Sequence, residues 1–148
     1  MKDRFQELLA ELGHTFHLSL KSDKRGACSI LIPPELTIQL QLDGSQEKLF
    51  LFTKLAEIPP GKFREEVLRE GLKANGLSDP RAGILAYLAV SNHLVLFQNY
   101  PVSILNGELL AGLFGSFLEM AESWQRAIQG GQSAPPTTAS SPPFGLRS

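Results

Sequence analysis

The chain has 148 residues, 43% apolar and 20% charged, with a formal net charge of -1. That is enough chain for one domain with a buried core, and too little net charge for a broad basic field that would hold nucleic acid or an anionic membrane. One cysteine, Cys28, excludes an internal disulfide and a multi-thiolate metal site and fits a reducing compartment, while no apolar run nears the roughly 20 residues that span a bilayer.

The opening stretch, MKDRFQELLAELG, lacks the continuous apolar region of a secretion signal. It predicts an amphipathic helix over 3–13. Phe5, Leu8, Leu9 and Leu12 share one face at i, i+3, i+4 and i+7, Asp3 is the N-cap and Gly13 the stop. TFHLSL (15–20) alternates but is too short to assign. Lys21, Lys24 and Arg25, with Asp23 among them, read as a solvated turn.

CSILI is a strand closed by Pro33 and Pro34, which cannot donate ladder hydrogen bonds and so place its end at an edge or bend. LTIQLQL (36–42) alternates strictly, with Thr37, Gln39 and Gln41 on one face, and ends at Asp43-Gly44. KLFLFTKL (48–55) is apolar on both faces. Hairpin-length DGSQE joins these two, so the strands form an antiparallel meander.

A helix follows within 58–77, with Phe63, Val67, Leu68, Gly71 and Leu72 on its buried side and Asn75-Gly76 as its stop. GILAYLAVSNHLVLFQ supplies two more doubly apolar strands around a turn at Ser91-Asn92. The longest helix spans 106–129, capped by Asn106, with an apolar stripe of Leu110, Phe114, Phe117, Ala121, Trp124 and Ile128. Gly112 and Gly115 within it lower helix propensity and are expected to permit a close approach to another element. From 130 to 148 the composition turns to Gly, Pro, Ser and Thr, which predicts a disordered tail. The order α-β-β-β-α-β-β-α predicts an α+β domain with three helices on one five-stranded antiparallel sheet.

Catalytic patterns do not assemble. His14 and His17 have neither the spacing nor the glutamate of a helical zinc site, and His93 sits beside a turn. Cys28 would be a nucleophile only with a histidine folded beside it; otherwise it is a small core residue. No phosphate loop or carboxylate cluster is present in the sequence, so no enzyme activity, cofactor or metal is expected.

Apolar surplus remains. A sheet with helices on one face leaves Phe50 or Phe52, one of Ile84 and Leu85, and Tyr87 or Leu88 to be hidden on the other. A second subunit would hide them; so would the first helix, or the chain after it, if either covers that face. The same face could also be a ligand pocket, or the surface of a regulatory adaptor that binds a folded partner.

The succession of FQELLAELG, the three-strand meander, IPPGKFREEVLREGLKANG, GILAYLAVSNHLVLF and YPVSILNGELLAGLFGSFLEMAESW resembles the class I type III secretion chaperones, the family of the Tir chaperone and the Syc proteins. The likeness covers about 3–129. It implies a bacterial, cytoplasmic, virulence-associated dimer that uses no ATP and holds an N-terminal segment of a secreted effector or gatekeeper protein ready for export. The dimer would be formed with itself or with a second chaperone, without nucleic acid or membrane insertion. By that resemblance the segment would lie on Phe5, Leu8, Leu9, Leu12, Ile30, Ile32, Ile38, Leu40, Phe50 and Phe52. The dimer contact would use Val67, Leu68, Leu72, Leu85 and Tyr87. Each of the ten segment-binding candidates is also an ordinary core candidate.

Overall fold

The computed structural model describes residues 4–18, 20, 22, 26–33, 36–45, 47–76 and 82–136. The expected cap at Asp3, the basic turn through Lys21, Lys24 and Arg25, the second proline Pro34 and most of the expected tail lie outside them. The described elements run α1 (Arg4–Phe16), β1 (Ala27–Ile32), β2 (Leu36–Leu42), β3 (Lys48–Glu57), α2 (Lys62–Asn75), β4 (Ile84–Leu88), β5 (His93–Pro101) and α3 (Gly107–Gln129). The strands form one antiparallel sheet in the order β1-β2-β3-β5-β4. This is the α+β architecture expected from the pattern of the sequence.

Helix α1 does not stop at Gly13. It continues to Phe16, and His17 takes the left-handed position (φ 59°) that usually falls to glycine. The Leu18 N–H then reaches back to the Gly13 carbonyl at 2.7 Å, a Schellman ending. Gly13 serves a different purpose: a Cβ there would lie 2.4 Å from the Leu18 carbonyl oxygen. The missing side chain makes room for the returning chain.

The β2–β3 hairpin is closed by Asp43. Its backbone N–H donates to the Lys48 carbonyl at 3.0 Å, and its Oδ1 accepts from the Glu47 N–H at 2.9 Å. Strand β3 bulges near its end, where Lys54 faces Val95 and Ala56 faces Leu94, leaving Leu55 as the extra residue. At the start of α3 the Asn106 side chain accepts from the Leu109 N–H at 2.8 Å, the expected N-cap.

The core lies between the sheet and the helices α1 and α3. Cys28, Ile30, Ile38, Leu40, Leu49, Leu51 and Leu96 meet Leu8, Leu9 and Leu12 of α1 and the whole predicted stripe of α3 in one buried cluster. Two expectations need correction. Leu72, placed on the buried side of α2, is 72% exposed. Gly112 and Gly115 face open space where a Cβ would stand, so no close approach among the described residues requires them. That approach occurs instead at Gly107, where a Cβ would lie 2.6 Å from the Glu11 side chain, at the contact of α1 with α3.

Candidate partner-binding surfaces

The two faces of the sheet have different chemistry because pairing holds alternate residues in register. One row crosses the whole outer face: Ser29, Gln39, Phe52, Phe97 and Ile84, each opposite the next. The β1–β2 half of the row is polar. The β3–β5–β4 half is apolar, and Phe52, Phe97 and Ile84 are only half-buried. Beside this row lie Phe50, 37% exposed, and Leu31, 67% exposed. A shallow hollow of about 290 Å³ opens there between Ser29, Thr37, Gln39, Phe52, Thr53 and Lys54.

The residues expected to take an extended segment therefore separate. Phe5, Leu8, Leu9, Leu12, Ile30, Ile38 and Leu40 are buried in the core, against the helices. Phe50 and Phe52 lie on the outer face, and Ile32 is half-buried at the end of β1. Leu31 and Phe97 were not expected; the doubly apolar runs SILI and LVLF were the available signal.

The residues expected at a dimer contact come together more closely. Leu68 and Leu72 of α2, with Leu85 and Tyr87 of β4, line one hollow of about 220 Å³, together with Gly71, Asn75, Ala86 and Leu94. Val67 lies beneath, fully buried. At Gly71 a Cβ would meet the Leu85 side chain at 3.7 Å, an ordinary contact, so α2 sits close on β4. A polar cluster holds the other end of this surface. The Arg64 guanidinium lies 5.1 Å from the Tyr87 ring centre and donates to the Tyr87 hydroxyl at 2.5 Å. That hydroxyl donates to Asn92 Oδ1 at 2.5 Å, and Asn92 turns the chain in a left-handed conformation (φ 57°).

Asn75 does more than end α2. Its Oδ1 accepts from the Leu85 N–H and its Nδ2 donates to the Leu85 carbonyl, both at 2.8 Å. Among the described residues no group of three or more His, Cys, Asp or Glu side chains could hold a metal ion. Nor is any described helix long and apolar enough to cross a membrane. Burial pushes the Tyr100 hydroxyl up to about 12, and that group sits in the core, away from both surfaces.

The family model of the Tir chaperone protein (CesT) family matches residues 7–125. The chain belongs to the Tir chaperone protein (CesT) family. No curated protein matches the sequence. Solved structures share the fold of this CesT-family chain. A chain of the HopA1–SchA chaperone–effector complex superposes with a TM-score of 0.67 at 20% identity, over 84% of this chain and 94% of that one. The Yersinia pestis type III secretion chaperone SycH, solved in complex with a fragment of YscM2, gives 0.62 at 18% identity, over 80% and 97%. The ExoT–SpcS complex from Pseudomonas aeruginosa gives 0.63 at 18% identity, over 82% and 97%. The family match spans every described helix and strand at least in part, from α1 to α3.

Proposed function

We propose that this protein is a type III secretion chaperone that binds an extended segment of a secreted effector and keeps it export-competent. The observation that carries the reading is the family match over 7–125. The similar structures support it, since they include a chaperone–effector complex and a type III secretion chaperone bound to a fragment of another protein. The protein acts as a cytoplasmic dimer without catalysis or cofactor. Two copies meet through Leu68, Leu72, Leu85 and Tyr87, over the fully buried Val67.

The effector segment adds a strand at a sheet edge near Ile32, and a further stretch of it crosses the outer face to set apolar side chains against Phe50 and Phe52. The buried members of the expected set support that surface from beneath. One buried leucine or isoleucine anchor contributes about 1.5–3 kcal/mol, so a few anchors hold a segment without a deep pocket. The domain reaches past α3, since Ala134 still packs against the core, and no residue beyond it belongs to the proposed binding surfaces.

Two measurements test the proposal. Light scattering should give twice the 16.2 kDa of one chain. Deletion of the gene from its bacterium should remove one or more proteins from the type III secreted set, with restoration by the intact chain. A secreted set unchanged by deletion would refute the proposal.

A further inference from the structure

The sheet has two edge strands, β1 and β4. In an antiparallel ladder the backbone groups of successive residues point alternately to the two neighbours. Leu85 stands opposite Leu96, yet its N–H and C=O are both taken by the Asn75 side chain at 2.8 Å. These two groups therefore point away from β5, out of the sheet. By the same alternation the outward groups of the short strand β4 belong to Leu85 and Tyr87. The Asn75 amide offers one acceptor and one donor in the arrangement that a residue of a neighbouring strand would offer.

We infer that Asn75 is an edge guard: its amide stands in for one residue of an added strand and closes β4 to an extended peptide segment. The inference rests on strand addition as the mode of segment capture. An incoming strand would have to displace both 2.8 Å bonds before it could pair across Leu85. It would also have to pass the end of α2, which is held against β4 at Gly71. Natural sheets protect exposed edges by shortness, by charge or by cover; here a side-chain amide supplies the cover. Asn75 also borders the hollow between α2 and β4. With the edge closed, two copies meet there through side chains and do not merge their sheets. Asn75 is thus a positioning residue that keeps an added strand off β4.

The test compares native Asn75 with Asn75→Ala and Asn75→Asp, each chain also carrying Leu72→Asp so that the proposed second copy does not cover β4. The aspartate keeps an acceptor for the Leu85 N–H and offers no donor to the carbonyl. The probe is a short soluble peptide of alternating valine and threonine carrying a spin label, followed by amide NMR and hydrogen exchange. With native Asn75, Leu85 is protected and the label broadens no β4 amide. In Asn75→Ala, Leu85 exchange should rise at least about tenfold, and the label should broaden β4 amides, with one more peptide bound per chain. Asn75→Asp should fall between the two, and decides the matter if the alanine variant does not fold. Labelling of β4 with native Asn75, or a β4 that stays unlabelled in both folded variants, would overturn the inference. Labelling of β4 in the variants with no other strand edge labelled in any chain would leave the guard standing and remove strand addition from the proposed function.

Discussion

Gln125 donates from its Nε2 to the carbonyl of Leu55 at 2.9 Å, joining residues 70 positions apart. Leu55 is the extra residue of the β3 bulge, so its carbonyl is offered to α3 where the ladder changes register. Gln125 is buried, and this bond pins the C-terminal half of α3 to the sheet. Gln125→Ala leaves a buried carbonyl without its donor and should cost about 1–3 kcal/mol in urea unfolding, with an unchanged m-value.

Tyr100 presents the opposite case. Its hydroxyl is buried and has no partner among the described residues. Tyr100→Phe removes a polar atom that nothing satisfies, and should leave stability unchanged or raise it. Burial raises the folded pKa from 10.0 to about 12. The folded state therefore keeps the proton after the unfolded state has lost it. This contribution is fully present below pH 10 and is lost as pH rises through 12. The native chain should lose more stability over that range than Tyr100→Phe does, as read from paired urea titrations at each pH.

The glycines make a third prediction. Gly13→Ala places a Cβ against the Leu18 carbonyl and should destabilise by more than about 1 kcal/mol. Gly112→Ala and Gly115→Ala meet open space inside a helix and should each stabilise by about 0.5–1 kcal/mol. Thermal melts of the three single variants separate a glycine required by packing from two that only loosen a helix.

The proposed binding surfaces can be separated from the core in the same way. Leu8→Ala should cost about 2–5 kcal/mol, because the side chain is fully buried. The Phe50→Ser, Phe52→Ser pair should melt close to the native chain and bind the effector segment at least about tenfold more weakly. Leu72→Asp should convert the dimer to a monomer with unchanged secondary structure, as seen by light scattering and circular dichroism.

The sequence revealed the sheet through periodicity, since strict alternation in β2 and doubled hydrophobicity in β3 and β5 follow directly from which faces are covered. It revealed α3 through a stripe long enough to allow no other period. The edge of α1 was hidden because His17 adopts a conformation for which glycine is the usual signal. Leu72 was misplaced because helical spacing identifies a face and cannot say whether this chain or a partner covers it. The bulge at Leu55 and the amide of Asn75 were also invisible. Both depend on a backbone group meeting a side chain from another element, and no local pattern encodes that meeting.

The row from Ser29 to Ile84 has one more consequence. A guest lying across the strands meets hydrogen-bonding side chains at the β1 end and an oily slope toward β4. Turned end for end, the same guest would bury its polar groups against phenylalanine and wet its apolar ones. For any guest on this face the surface is therefore a compass as well as a platform: it favours one way round before any single contact is optimised.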